Sequence, residues 1–253
     1  MCLILFSYHQ HPSYRLILAA NRDEFYSRPT EALAFWKDEP NILAGRDLQG
    51  GGTWLGVSKK GRIAALTNYR DPSLMIPDGP SRGHLVAGFL KEDGSADAFF
   101  TRLKKNGKQY DGFNMIAGDR DGLFYYSNVQ NTIIHLKPGV FGISNRFLDT
   151  PWPKVVRGKA LLKPFFEMDN PDADGMLDAL SDQVCPPDAE LPDTGVGTEW
   201  ERILSPLFIT SDVYGTRSSS VILVGKNHEV VFIERTYDGT EHETRKLSMK
   251  IEK

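Results

Sequence analysis

Two nearly continuous apolar runs, residues 2–8 and 15–20, open the chain on either side of the turn-forming stretch His9-Gln10-His11-Pro12-Ser13. Leu, Ile, Phe and Ala in unbroken succession are the mark of strands covered on both faces, because a strand with one wet face alternates apolar and polar side chains. The punctuation between the runs makes them a hairpin. A sheet of such strands needs material packed above and below it, so the chain is expected to be layered.

The rest of the pattern supplies the layers. Residues 53–58 and 62–67 read as a second hairpin around Lys59-Lys60-Gly61, followed by a polar, Pro-rich loop over 68–80. Helices are expected over 81–90 and 95–105, the second with Ser95 as N-cap and Lys104 and Lys105 in its last turn. Strand patterns at 113–117, 123–127, 132–136 and 140–144 are spaced by Asp, Gly, Asn and Pro turns and read as a meander. A second helical block over 153–166 and 173–183 gives the opposite layer, and strands resume at 219–224 and 230–234. The Pro-rich tract at 186–195 reads as a surface excursion. Strands at both ends with helices between them imply an α+β fold in which the first and last strands could pair. With 253 residues, one domain spanning 1–253 is expected.

Charge and cysteine content narrow the function. A net charge of −3 offers no field for a phosphate backbone, so nucleic acid is not an expected partner. The two cysteines, Cys2 and Cys185, cannot form a disulfide scaffold. The apolar opening lacks a basic leader and meets His9 too early for a signal peptide, and no run approaches the ~18 apolar residues of a membrane span. A reducing, cytoplasmic location without integral membrane association is the expectation.

The chemistry concentrates at the start of the chain. Removing the initiator would leave an α-amine and a thiol on Cys2, with reference pKa values of about 7.7–8.0 and 8.5, so one could take the other's proton. About twenty residues on comes the polar cluster Asn21-Arg22-Asp23-Glu24. The alternative reading is a structural cysteine in a buried strand beside a polar strand end, and free cysteine is indeed among the most buried residue types.

The Cys2 start, Asn21-Arg22-Asp23-Glu24 and the later Tyr214-Gly215-Thr216-Arg217-Ser218-Ser219-Ser220 resemble the NRDE family, also called the transport and Golgi organisation 2 family. Gly51-Gly52-Thr53-Trp54-Leu55-Gly56, Leu66-Thr67-Asn68 and Gly142-Ile143-Ser144-Asn145 extend the resemblance along nearly the whole chain. That family is similar in turn to N-terminal-nucleophile hydrolases of the penicillin V acylase and bile salt hydrolase type, which implies a four-layer αββα sandwich. The resemblance implies Cys2 as nucleophile, Asp23 as the group holding its amine, Asn145 and Asn68 as oxyanion donors and Arg217 as support for the thiol. Asn21, Arg22 and Trp54 are implied as substrate-binding or supporting residues. The hydrolases carry an Arg three residues before their Asp, where this chain has Ala20. Strand alternation places Asn21 and Asp23 on one face and Arg22 on the other.

Other motifs carry less. Gly50-Gly51-Gly52-Thr53 lacks the Lys and helix start of a phosphate loop, so permissive backbone before a strand is the better reading. His9, His11, His84, His135, His228 and His242 show no metal-ligand spacing, and neither a metal nor a cofactor is expected. The first functional expectation is an amidohydrolase acting on a small, partly apolar, non-peptide amide. The alternative is a non-catalytic carrier of haem or lipid that keeps the same fold, and a scaffold in secretory organisation ranks third.

Overall fold

The computed structural model describes residues 2–239 and 241–252. In chain order its first nine strands are β1 (Cys2–Tyr8), β2 (Tyr14–Phe25), β3 (Thr30–Phe35), β4 (Ile42–Asp47), β5 (Leu55–Ser58), β6 (Ile63–Asn68), β7 (Phe113–Gly118), β8 (Leu123–Ser127) and β9 (Thr132–His135). Then come β10 (Gly139–Ile143), β11 (Tyr214–Gly225), β12 (Glu229–Asp238) and β13 (Glu241–Lys250). The helices are α1 (Gly83–Lys91), α2 (Ala96–Asn106), α3 (Pro153–Glu167), α4 (Ala173–Leu180) and the short α5 (Thr198–Ile203). They group into two compact units, Met1–Ser27 with Pro138–Ser248, and Arg28–Lys137 with Met249–Lys253.

The first unit is built on a sheet of order β10-β1-β2-β11-β12-β13, with β1, β2 and β11 antiparallel to their neighbours. Every residue of β1 is buried, as the unbroken apolar run requires. Leu3 and Leu5 of β1, Ile17 and Ala19 of β2 and Val221 and Leu223 of β11 point to one face, where they pack with Val155, Leu162 and Phe166 of α3 and Met176, Leu177 and Leu180 of α4. The alternate residues Ile4, Phe6, Leu18 and Ala20 are buried on the other face. Each such Leu, Ile or Phe stabilises the fold by about 1.5–3 kcal/mol. Helix α3 lies close to β1 because Gly158 has no side chain: a Cβ there would come within 2.5 Å of Leu5 Cδ1.

The second unit carries the seven-stranded sheet β3-β4-β5-β6-β7-β8-β9, antiparallel throughout, in chain order. One face packs on α1 through Leu85, Val86, Phe89 and Leu90, and on α2 through Phe99, Phe100 and Leu103. Ser95 caps α2 as expected, accepting from Ala98 N. The glycines before Trp54 are structural: Gly51 has φ +72°, and a Cβ on Gly52 would lie 2.4 Å from the backbone carbon of Gly83 at the start of α1.

Several expectations need correction. The meander ends at β9, because β10 leaves it and pairs with β1 in the other sheet, Ile4 opposite Ile143. The first and last strands do not pair: β1 is flanked by β2 and β10, while β13 is the edge beyond β12. Strands β3, β4 and β13 have no counterpart among the expected elements; β3 is a half-exposed edge and nearly all of β13 is exposed, leaving no apolar periodicity to read in those two. Helix α4 stops at Leu180, short of Gln183.

Candidate active site

Strand pairing decides what lies around Cys2. In the β1/β2 ladder Cys2 sits directly opposite Arg22. Directly opposed residues of antiparallel strands present their side chains on the same face, so Cys2 and Arg22 are cross-strand neighbours. The expected alternation within Asn21-Arg22-Asp23 holds, and it brings Arg22, not Asp23, onto the thiol's face. Arg22 is 5% exposed, with Nη2 at 4.0 Å from Oε2 of Glu24, two residues along the same face.

The thiol is itself buried, and burial pushes its pKa up. The Asp23 carboxylate adds to that rise, whereas the Arg22 guanidinium and a hydrogen bond from the Asp23 backbone favour the thiolate. Arg22, inside the tetrapeptide, is thus a cation that bears on the sulfur.

On the other side of β1, β10 ends at Ile143 opposite Ile4, and the chain continues through Ser144 to Asn145. Asn145 is fully buried. Ser144 Oγ donates to the Cys2 carbonyl at 3.4 Å and lies 3.2 Å from Asn145 Oδ1, tying this loop to the start of β1. Ser144 falls within a matching motif, yet a serine at a strand end carries no signal of its own from which this role could be read.

The two long motifs form one hydrogen-bonded object. Tyr214 OH donates to the Asp23 carbonyl at 2.8 Å, and Thr216 Oγ1 donates to Asp23 Oδ1 at 2.8 Å while accepting from Ile209 N at 2.9 Å. Arg217 occupies a bulge, the residue left over where Thr216 pairs with Asp23 and Ser218 with Arg22. Its Nη1 donates to the carbonyls of Phe25 and Tyr26, each at 3.0 Å. Gly215 is needed for this close fit, since a Cβ would sit 2.1 Å from Tyr26 Oη and 2.7 Å from Ile209 O.

Asn21 points to the helix-covered face. Its Nδ2 donates to the carbonyls of Leu180 at 3.0 Å and Leu207 at 2.9 Å, and its Oδ1 accepts from Ser219 Oγ at 2.6 Å. It anchors the end of β2 against the end of α4.

The first unit thus holds Cys2, Asn21, Arg22, Asp23, Asn145 and Arg217. Asn68 and Trp54 belong to the second unit: Asn68 closes β6 opposite Phe113, and the Trp54 carbonyl accepts from Leu66 N at 2.8 Å. Met1, whose removal the N-terminal chemistry requires, lies outside the described residues. Among the described residues no three His, Cys, Asp or Glu side chains converge as metal ligands, and no helix is long and apolar enough to cross a membrane.

Two antiparallel sheets, each with helices packed on it, make this an α+β fold, and a cysteine opens its first strand. The chain is similar to the C2A mutant of conjugated bile acid hydrolase from Clostridium perfringens, with a TM-score of 0.54 at 10% identity, covering 99% of this chain and 97% of that one. The chain belongs to the Transport and Golgi organisation 2 family, whose model matches residues 1–239. The Transport and Golgi organization 2 homologs of Mus musculus and Homo sapiens are each 38% identical over 257 residues, 93% of both chains. Transport and Golgi organization protein 2 of Drosophila melanogaster is 30% identical over 272 residues, 94% of this chain and 93% of that one.

Proposed function

We propose that residues 1–253 act as one N-terminal-nucleophile amidohydrolase domain for a small, partly apolar, non-peptide amide. The observation that carries this reading is the pairing of Cys2 with Arg22 on one face, with the Asp23 backbone hydrogen bond to the sulfur and the buried Asn145 linked to Cys2 through Ser144. Once Met1 is removed, the α-amine of Cys2 takes the thiol proton and the sulfur attacks the amide carbon. Asn145 stabilises the oxyanion; losing such a donor costs about 3–4 kcal/mol of barrier. The C–N bond then breaks, the leaving amine carries away the proton, and water hydrolyses the thioester to release the acid. Asp23 holds the amine, and Arg22 offsets the burial that disfavours thiolate. Arg217 supports the site by fixing the chain just past Asp23. The site works in a reducing cytoplasmic setting where Cys2 stays free.

The test combines intact-mass measurement of Met1 removal with incubation against a panel of N-acyl amides, reading amine release and acyl-enzyme mass. Turnover by the processed protein and none by Cys2→Ala is expected. A protein that retains Met1 completely in its native host would overturn the mechanism.

A second reading is favoured by Ala20 in place of the hydrolases' Arg and by the burial that raises the Cys2 thiol. On that reading the chain carries haem or a lipid without turnover. Full biological activity of a Cys2→Ala protein would decide for the carrier.

A further inference from the structure

Strand β13 is the outer edge of the first unit's sheet, joined to it only through β12. Eight of its ten residues are exposed and the remaining two are half-buried, so neither face carries a covering layer. It also lies beyond the residues matched by the family model, which end at 239. A long edge strand presents a row of backbone donors and acceptors ready to pair with another strand, and natural edges are commonly blocked by charge. The charges on β13 are sorted along its length: Glu241 and Glu243 in the first half, Arg245, Lys246 and Lys250 in the second. A strand sorted in this way attracts its own copy when the two run antiparallel.

We propose that β13 is a dimerisation strand whose partner is β13 of a second copy of this chain. A two-fold axis perpendicular to the sheet sets one residue opposite its own copy, and the charges select which one. Centring on Glu243, Arg245 or Lys246 places like charges in direct opposition, which destabilises a strand pair. Centring on Thr244 instead places Glu243 opposite Arg245 in both directions, with the two threonines paired between them. Backbone geometry agrees with that choice. The Glu243 carbonyl accepts from Thr236 Oγ1 on the β12 side at 3.4 Å. The N–H and C=O of the next residue, Thr244, therefore point to the open side, where they exchange hydrogen bonds with the other Thr244. The flanking Glu243 and Arg245 then fall in the non-hydrogen-bonded positions, where opposed side chains come closest. Within one chain Arg245 Nε already meets Glu243 Oε1 at 3.0 Å. The dimer joins two such pairs into a ring of four alternating charges, and the interface is isologous as a two-fold demands.

Sedimentation velocity of the full chain over a concentration series tests this. A dimer is expected at low ionic strength, weakening as salt screens the exposed pairs. Glu243→Lys and Arg245→Glu should each yield folded monomers by circular dichroism. Mixing these two variants should restore a dimer, because the lysine introduced in one then faces the glutamate introduced in the other, while the native Arg245 of the first faces the native Glu243 of the second. Thr244→Pro, which removes the outward N–H, should raise the dissociation constant at least about tenfold, the equivalent of one good hydrogen bond or more. A chain that is monomeric at every concentration and salt overturns the proposal, as does a dimer indifferent to both Glu243→Lys and Thr244→Pro.

Discussion

Thr216 Oγ1 donates to Asp23 Oδ1 at 2.8 Å across the β11/β2 ladder, and the same oxygen accepts from Ile209 N. One hydroxyl therefore orients a buried carboxylate and closes a loop. Thr216→Val keeps the shape and removes both bonds. A loss of about 2 kcal/mol is expected, or about 4–8 °C in melting temperature by calorimetry.

Asn21→Ala removes three hydrogen bonds from a fully buried residue and leaves the carbonyls of Leu180 and Leu207 without this donor. It should cost about 3 kcal/mol in urea unfolding. An Asn21 that acts only on substrate would leave the unfolding midpoint unchanged.

The two arginines should separate by readout. Arg22→Ala removes a cation that lowers the Cys2 pKa, so alkylation of Cys2 by iodoacetamide should slow near neutral pH and its pH midpoint move upward. Arg217→Ala loosens the Phe25 and Tyr26 carbonyls and should lower the melting temperature with a smaller effect on the alkylation profile. Equal profile shifts in both variants would count against the assignment.

These contrasts show what the sequence made legible. The apolar runs announced β1 and β2, and the Ser95 cap announced α2, because burial and capping leave their marks locally. That Cys2 faces Arg22 depends on register between strands, which neither strand's own sequence states. Arg217 reads as a site cation in its motif, yet the bulge between Thr216 and Ser218 turns its guanidinium onto backbone carbonyls. The charged β13 has no apolar pattern to betray it.

The buried thiol makes stability pH-dependent. Burial raises its folded pKa above that of an exposed thiol, so the folded state holds the proton more tightly than the unfolded chain. The stabilisation from this group is complete below the unfolded thiol pKa of about 8.5 and is lost as pH rises from there through the folded pKa. In alkaline melts Cys2→Ala should lose less stability than the native chain, and parallel curves would contradict it.

Gly52→Ala would drive a Cβ to 2.4 Å from the Gly83 backbone carbon. Helix α1 would have to shift, at about 1–3 kcal/mol, visible as a lower unfolding midpoint.

Both neighbours of the N-terminal hairpin in its sheet, β10 and β11, lie beyond residue 138. During synthesis the hairpin therefore emerges from the ribosome with its edges open and two greasy faces bare until more than half the polypeptide has followed. The strand bearing Cys2 is made first and seated late, so a nascent chain stalled before Pro138 should be a client for chaperones.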